Sequence, residues 1–214
     1  MLSGWEKGGG NLFLQQLRLN EHQLSSRNNY PSHWNHIIEV LDFKVAGVPN
    51  VLDIGCGVGT YSQVIGDYVG QYVGVDSAEN AIKIAKGHWG VNADRVFVER
   101  SLYELDRNFV DGFDVVICNA LLDVMPDADK ALDHLLKICK SNIQNKVLVI
   151  QRIRFDVSSR VGYYVKSRPY DAIDSFEYYH GSQDLGKILE FGPEFDLFEK
   201  VNDDISIYNI SMEI

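Results

Sequence analysis

A carboxylate followed by a glycine-rich turn is the segment of this chain best suited to bind a small charged molecule. Residues 51–60 read VLDIGCGVGT, which predicts a short buried strand, a tight turn and the start of a helix. Gly55 and Gly57 let the backbone approach a ligand without a Cβ in the way, and Thr60 stands where a dinucleotide-binding turn has its third glycine or an alanine. The charge of Asp53 would repel a pyrophosphate and attract an ammonium group. The turn therefore favours a ligand with a cationic group over a dinucleotide.

A second acidic residue is predicted at the end of the neighbouring strand. Residues 71–76 read QYVGVD, and Asp76 follows Asp53 by 23 residues. In nucleoside-binding α/β folds, an acidic residue at this place accepts hydrogen bonds from both ribose hydroxyls, for which a carboxylate offers two oxygens. The two carboxylates and the turn thus predict a nucleoside site.

These residues resemble the first motif and the ribose-binding acid of class I S-adenosylmethionine-dependent methyltransferases of the small-molecule type. The resemblance covers residues 48–214 and implies an α/β fold, with a doubly wound, mostly parallel seven-stranded sheet of order 3-2-1-4-5-7-6 and helices on both faces. It implies S-adenosyl-L-methionine as cofactor and S-adenosyl-L-homocysteine as product. The residues assigned to the amino-acid end are Asp53, Gly55, Cys56 and Gly57, and those assigned to the ribose are Asp76 and Ser77. A packing-only strand–turn–helix unit and a Rossmann protein that transfers no methyl group are the alternatives.

The resemblance places further cofactor contacts after the third and fourth strands. Ser101 stands where many family members carry an aspartate that receives the adenine amino group, and a serine hydroxyl accepts that hydrogen bond more weakly. Leu102 is expected to offer its backbone N–H to an adenine ring nitrogen. Asn119, Ala120 and Leu121 are expected to flank the methionine portion and the reactive methyl group. For Asn119, a side chain that only stabilises a turn is the alternative.

Methyl transfer requires orientation more than a dedicated catalytic group, because the sulfonium already contains a good leaving group. A base is needed only where the acceptor enters protonated, as a hydroxyl does. His180 is the first candidate for this base because histidine titrates near neutral pH, and His33 and Asp123 are the next candidates. Each can also be a structural residue. His33 and His36 can share a helix face, but no third ligand lies nearby in the sequence, so no metal site is predicted.

Residues 152–181 are expected to form a substrate-side loop, because the connection is long. Its basic and aromatic side chains suit an anionic or glycan-type acceptor. They are Arg152, Arg154, Arg160, Lys166, Arg168, Tyr163, Tyr164, Tyr170, Tyr178 and Tyr179. The alternative is a solvated charged loop whose aromatic rings pack on the core.

The elements that position these residues follow from hydrophobic periodicity. Residues 1–47 are predicted to form an N-terminal helical cap, with Ser32 as the N-cap of its second helix. From residue 50 strands and helices alternate, which implies a parallel sheet, and the fifth strand is predicted at 146–151. A helix capped by Ser182 and a terminal hairpin of residues 195–200 and 205–210 complete the core.

Composition limits the class of acceptor. The net charge of −10 over 214 residues argues against a nucleic-acid substrate, which usually needs a basic face. The order NALL at 119–122 also differs from the Asn-Pro-Pro-Tyr type found in nucleic-acid methyltransferases. A nucleic-acid methyltransferase and a non-catalytic cofactor-binding protein are the alternatives to a small-molecule enzyme. No apolar run reaches the length of a membrane span, no signal pattern begins the chain, and a cytoplasmic location is expected. Neither the acceptor nor the oligomeric state can be inferred.

Overall fold

The computed structural model describes the backbone of residues 10–26, 30–125, 127–140, 146–156, 162–166, 175–200 and 205–214. Side chains are described in these ranges outside residues 10–11, 162–166, 175–177 and 205. The strands are β1 Asn50–Ile54, β2 Gln71–Asp76, β3 Arg95–Glu99, β4 Val115–Asn119, β5 Val147–Asp156, β6 Gly162–Lys166, β7 Ser175–Tyr179, β8 Glu194–Lys200 and β9 Ile205–Glu213. The helices are α1 Gly10–Leu24, α2 Ser32–Lys44, α3 Tyr61–Val64, α4 Glu79–Trp89, α5 Arg107–Val110, α6 Ala128–Cys139 and α7 Ser182–Leu189, and 3-10 turns span Gly66–Tyr68, Leu102–Glu104 and Leu122–Val124.

Seven strands form one mixed sheet in the order β3-β2-β1-β4-β5-β9-β8. The first five strands pair in parallel, whereas β9 runs antiparallel to both β5 and β8. When only the strands of this sheet are numbered, the order is 3-2-1-4-5-7-6, and the predicted fold is confirmed. The parallel part puts the ends of β1, β2, β4 and β5 at one edge, where ligands bind in open α/β sheets.

Apolar cores cover both faces of the sheet. On one face, Leu52 and Ile54 of β1 pack in the same buried cluster as Leu135 of α6. On the other face, Val51 packs in a cluster that includes Ile37 of the cap helix α2. The alternation of side chains along β1 produces this division, because successive residues of a strand point to opposite faces.

The N-terminal helices pack on the core. Phe13 and Leu17 of α1 are buried with Val58 of the glycine turn and Ala81 of α4. They therefore lie beside the turn expected to bind the cofactor. The described helices agree with a helical cap, and the boundary of that cap at residue 47 stays a prediction.

Two predicted helix caps were wrong by one residue. The N-cap of α2 is Pro31, not Ser32, and the N-cap of α7 is Gly181, not Ser182. Pro31 has φ −53 and its carbonyl accepts hydrogen bonds from the backbone N–H of Trp34 and Asn35. The fixed φ of proline suits this boundary, so backbone geometry and not a serine side chain starts the helix.

The fifth strand continues beyond its predicted end and shortens the expected loop. Residues 153–156 pair with β9 after a register shift that follows Ile150. Their alternating intermediate and buried positions explain this: Ile153 and Phe155 enter the core while Arg154 lies between them. The first residues of 152–181 are therefore strand.

The remainder of the expected loop contains a hairpin in the part that the structure describes. Strands β6 and β7 form a separate antiparallel two-stranded sheet, and His180 makes an isolated bridge with Phe155 of β5. Arg160, Arg168 and Tyr170 lie outside the described residues. The substrate-binding role of residues 152–181 stays a prediction. No described helix is long and apolar enough to cross a membrane.

Candidate active site

The glycine turn after β1 has two differently used glycines. Gly55, Gly57 and Gly59 all have φ between 54 and 76, a region that favours glycine. A Cβ on Gly57 would meet nothing within 4 Å, whereas a Cβ on Gly59 would lie 2.5 Å from the ring of Phe97. Gly57 therefore borders open space where a ligand can approach, and Gly59 is the packing glycine. Thr60, which follows Gly59, is buried and accepts a hydrogen bond of 2.7 Å from Asn20 Nδ2 of the cap.

Asp53 lies beneath this turn with one oxygen lacking a hydrogen-bond donor. The residue is 1% exposed, and Tyr72 donates its hydroxyl to Oδ2 at 2.5 Å. Oδ1 is buried and has no hydrogen-bond partner among the described residues. Burial raises the pKa of Asp53 to about 7, against the lowering effect of the Tyr72 hydrogen bond. A cationic N–H donor would satisfy Oδ1 and favour the ionised carboxylate, so the site fits the ammonium end of S-adenosylmethionine.

Asp76 joins the end of β2 to both the turn and the following helix. Its Oδ2 accepts the backbone N–H of Gly57 at 2.9 Å, and its Oδ1 accepts the backbone N–H of Ala78 at 2.8 Å. A carboxylate oxygen can accept more than one hydrogen bond, and the ribose contact of Asp76 stays a prediction. Ser77 follows as an exposed residue. Asp76 thus shapes the turn through its two backbone hydrogen bonds.

Ser101 has a local structural role that the sequence did not predict. Its Oγ accepts the backbone N–H of Tyr103 at 3.4 Å, and its own backbone N–H donates to Glu104 Oε2 at 2.7 Å. This reciprocal capping box starts the 3-10 turn that contains the buried Leu102. The adenine contacts of Ser101 and Leu102 stay predictions.

The carboxyl ends of β4 and of the parallel part of β5 are joined by hydrogen bonds, and each is followed by a residue with strained backbone. Ala120 and Arg152 are the non-glycine residues with positive φ in the described chain, at 50 and 58. The backbone N–H of Ala120 donates to the carbonyl of Gln151 at 3.0 Å, and Arg152 Nε donates to Asn119 Oδ1 at 3.0 Å. Leu121 lies so close to Gly55 that a Cβ there would be 3.0 Å from its methyl groups. The structure therefore brings the predicted segment 119–121 against the glycine turn.

A buried amide joins this edge to the cap helix α2. Gln151 Oε1 accepts the hydroxyl of Tyr61 at 2.6 Å. Its Nε2 donates to the carbonyl of His33 at 2.6 Å and lies 3.0 Å from His36 Nδ1. We call Gln151, Tyr61, His33 and His36 the cap-side network. The sequence prediction missed Gln151 and Tyr61, although an amide at the end of the apolar run VLVIQ is a visible signal.

His33 of this network keeps an unused ring nitrogen. The side chain is 9% exposed, lies in ring contact with Tyr61 and Phe198, and its Nδ1 has no hydrogen-bond partner among the described residues. Burial, and then the positive charge of Arg152, lower the pKa of His33 to about 3. The imidazole is therefore neutral at physiological pH and offers a buried hydrogen-bonding position.

The other two candidate catalytic residues meet in a separate buried cluster. His180 Nδ1 lies 2.9 Å from Asp184 Oδ2, and its Nε2 lies 3.7 Å from Asp123 Oδ1. Arg154 Nη1 donates to Asp123 Oδ2, and its backbone N–H donates to Oδ1 at 3.4 Å. We call Asp123, Arg154, His180 and Asp184 the hairpin-side cluster. Because an ionised Asp184 can only accept, the hydrogen bond places a hydrogen on His180 Nδ1. His180 Nε2 has no hydrogen-bond partner among the described residues.

The hairpin-side cluster is buried. His180 is 0% exposed and Asp123 is 1% exposed. Burial raises the pKa of Asp123 to about 6, although Arg154 and His180 act in the lowering direction. His180 is buried in this cluster with its Nδ1 hydrogen-bonded to Asp184, and its role as a general base stays a prediction. Of the three candidates, the structure joins His180 with Asp123 and leaves His33 apart. No described group of three or more His, Cys, Asp and Glu side chains is arranged to hold a metal.

Comparison with known proteins decides the family. A sequence model described as "Methyltransferase domain" matches residues 49–192, which is more than half of the chain. The chain belongs to this methyltransferase family. The fold, the glycine turn and the comparisons agree, so the predicted class I S-adenosylmethionine-dependent family and its cofactor are confirmed.

Curated relatives match over short segments. The chain is 34% identical over 79 residues to a ubiquinone biosynthesis O-methyltransferase of Nitrosospira multiformis, a match that covers 36% of this chain and 33% of that protein. It is 28% identical over 91 residues to the protein of the same name from Coxiella burnetii, with 42% and 39% covered. The matched segments thus span about a third to two fifths of these relatives.

Solved structures share the fold at low identity. The N-terminal domain of EvdMO1 with bound S-adenosylhomocysteine has a TM-score of 0.62 at 13% identity, covering 86% of this chain and 80% of that one. Magnesium protoporphyrin IX methyltransferase of Synechocystis, with bound S-adenosylmethionine, has a TM-score of 0.52 at 17% identity, covering 96% and 86%. CalS10, an amino pentose methyltransferase of Micromonospora echinaspora, has a TM-score of 0.57 at 12% identity, covering 85% and 91%. The similarity extends over most of each chain and shows a common architecture.

Proposed function

We propose that the chain transfers a methyl group from S-adenosylmethionine to an oxygen or nitrogen atom of a small or medium-sized acceptor. The observation that carries the proposal is the buried Oδ1 of Asp53, which finds no hydrogen-bond partner in the described part of the chain, next to a turn whose Gly57 has no described atom within 4 Å of a Cβ position. A buried carboxylate oxygen without a donor is costly, and an ammonium group would remove that cost. The names of the curated relatives support oxygen as the acceptor atom.

In this proposal the predicted cofactor residues share the binding of one cofactor at the strand ends. Asp53 and the turn would hold the amino-acid end, and Asp76 would hold the ribose. Ser101 and Leu102 would border the adenine, whereas segment 119–121 would border the methyl group. When bound, the cofactor supplies an electrophilic methyl on a sulfonium, so the chain must mainly orient the acceptor and exclude water.

The protein groups at the methyl end divide into orienting and structural residues. The neutral His33 offers a hydrogen-bonding position to a hydroxyl or amine of the acceptor. A base with a pKa of about 3 does not keep a proton at neutral pH, so His33 orients the acceptor and does not store its proton. Asp123 and His180 support the backbone that carries segment 119–121.

Binding measurements on Asp53→Asn test the proposal. We expect the unmutated chain to bind S-adenosylhomocysteine and not NAD, and Asp53→Asn to lose at least about tenfold in affinity because a charged hydrogen bond is removed. Asp42→Asn, which changes an exposed carboxylate of α2, is the matched control. Asp76→Ala is a less clean variant, because its carboxylate also holds the turn.

Turnover with labelled S-adenosylmethionine and pools of small acceptors tests the second half of the proposal. Transfer of label to a small molecule supports it. Label found only in added RNA or DNA supports nucleic-acid methylation instead. Binding of S-adenosylhomocysteine without transfer to any pool would indicate a non-catalytic cofactor-binding protein.

A further inference from the structure

Arg152 occupies a bulge that directs it toward the methyl end of the site. The pairing of β5 with β9 shifts between Ile150 and Ile153, and the backbone N–H of Arg152 donates to Oδ1 of the buried Asn209 at 3.2 Å. Bulges of this kind often lie beside active sites, where they re-aim a side chain. The bulge is therefore held by a specific side chain and keeps Arg152 at φ 58.

The guanidinium group lies between the end of β4 and the cap. Its Nε donates to Asn119 Oδ1 at 3.0 Å. Burial is the main cause of the lowered pKa of His33, and the positive charge of Arg152 lowers it further. Burial raises the pKa of Tyr61, and the charge of Arg152 acts in the lowering direction. These effects require proximity, so one cation serves both the strand end and the cap-side network.

His33 lies near the same strand end, because the side chain of Gln151, which precedes Arg152, donates to the His33 carbonyl at 2.6 Å. The backbone of His33 is fixed by Gln151, and its ring is fixed by contacts with Tyr61 and Phe198. Its Nδ1 remains buried without a hydrogen-bond partner in the described part of the chain. A buried ring nitrogen held in place by its neighbours, but left without a partner, is a feature that a ligand would satisfy.

We propose that Arg152 and His33 together recognise the methyl acceptor. Arg152 binds an anionic group of the acceptor, a carboxylate or a phosphate, while His33 Nδ1 hydrogen-bonds a hydroxyl or amine of the same molecule. The proposal rests on the proposed function, because it defines the acceptor side of that reaction. A planar guanidinium matches both anions through paired N–H donors, and the neutral imidazole supplies the complementary contact.

The strained backbone at two neighbouring strand ends supports a ligand-binding role for this edge of the sheet. Ala120 and Arg152 both have positive φ, and their segments are joined by the Ala120 to Gln151 backbone hydrogen bond. Unfavourable backbone at a ligand-binding edge persists where the surrounding structure fixes it, and such residues cluster at active sites.

An NMR titration tests the proposal without any substitution. The chain is labelled with ¹⁵N and loaded with S-adenosylhomocysteine, and the Nε–H signal of Arg152 is followed during addition of 4-hydroxybenzoate, phenyl phosphate or neutral phenol. We expect saturable shifts with either or both anions below about 10 mM and none with phenol. The two anions distinguish a carboxylate acceptor from a phosphate acceptor. Equal responses to the anions and to phenol, or no saturable response to either anion, would overturn the proposal.

Two variants sharpen the result. Arg152→Gln should weaken binding of the responding anion by about tenfold or more and leave S-adenosylhomocysteine affinity within about twofold. Arg107→Gln, an exposed arginine of α5, is the matched control and should change neither. His33→Phe should remove the affinity difference between 4-hydroxybenzoate and benzoate, whereas retention of that difference would contradict the role of His33.

The outcomes separate this inference from the proposed function. If the unmutated chain does not bind S-adenosylhomocysteine, the proposed function itself is contradicted. If the chain binds S-adenosylhomocysteine but the Arg152 Nε–H signal does not respond to either anion, only the acceptor proposal is contradicted.

Discussion

The two buried histidines of the site region differ in what their ring nitrogens face. His33, in the cap-side network, has an Nδ1 without a hydrogen-bond partner among the described residues. His180, in the hairpin-side cluster, pairs its Nδ1 with Asp184, and its Nε2 also has no hydrogen-bond partner among the described residues but lies 3.7 Å from the Asp123 carboxylate. Both are at least nine-tenths buried, so burial alone does not separate a ligand-binding histidine from a structural one. The difference lies in the chemistry of the neighbours.

The neighbours also determine how each region responds to charge. His33 lies among aromatic rings and near Arg152, so a proton on it would be strongly unfavourable. The hairpin-side cluster instead surrounds its histidine with two carboxylates and the Arg154 cation. The cap-side network can therefore present a neutral acceptor group, whereas the hairpin-side cluster joins the turn at 122–124 to β5 and α7.

The largest expected effect comes from Asp123→Ala. This change leaves the partly buried Arg154 without its carboxylate, and we expect a loss of about 3–5 kcal/mol in the free energy of unfolding. Urea unfolding of the cofactor-free chain measures it, with the exposed Asp129→Ala as control. His180→Ala should likewise act mainly on stability. A His180→Ala chain of normal stability that loses about 100-fold or more in kcat would support His180 as a base and break the comparison.

The next effect concerns the stability of the folded chain in acid. The folded pKa of His33 is lowered from 6.5 to about 3, so its contribution to stability is present above pH 6.5 and is lost as pH falls toward 3. Between pH 6.5 and 5 this amounts to about 2 kcal/mol for this group. We expect His33→Phe to remove that part of the acid sensitivity in urea-unfolding curves collected across the range. An unchanged pH profile would show that His33 titrates normally.

The smallest expected effect is that of Tyr61→Phe. The change removes the hydroxyl that donates to Gln151 Oε1 and leaves the ring in place, so a loss of about 1 kcal/mol is expected. Affinity for S-adenosylhomocysteine should remain unchanged in calorimetry. Tyr72→Phe is the matched comparison, because it removes the donor to Asp53 and should alter cofactor binding. If both variants behaved alike, the cap-side network and the cofactor site would not be separable.

The cofactor half of the site was predictable because its signals are local. Asp53, the glycines and Asp76 stand at fixed positions relative to two short strands, and the spacing alone places them at one edge of the sheet. Backbone bonds such as Gly57 N–H to Asp76 Oδ2 then complete the turn without help from distant segments. The sheet order followed from the alternation of strands and helices together with the family resemblance.

The acceptor half depended on contacts between distant segments. Gln151 lies 118 positions from His33 and 90 from Tyr61, so no periodicity could join them. The bulge at Arg152 also concealed the continuation of β5, because pairing resumes only after two residues leave the ladder. His180 was ranked first from its residue type, whereas its burial against Asp184 depends on how β7 and α7 pack beside β5.

The central claim is that Asp53 recognises the ammonium end of the cofactor. Its pKa of about 7 in the ligand-free chain is raised above the usual value of 3.8, and a bound ammonium group should return the carboxylate to its ionised form. Binding at pH 7 should therefore release about half a proton from this group.

Calorimetry of S-adenosylhomocysteine binding at pH 7, in two buffers of different ionisation enthalpy, tests the claim most directly. The account predicts that the unmutated chain releases about half a proton when it binds the ligand. Asp53→Asn lacks the titrating carboxyl group, so it should not release this half proton, and it should bind more weakly. Binding of equal affinity and equal proton release in the unmutated chain and Asp53→Asn would contradict it.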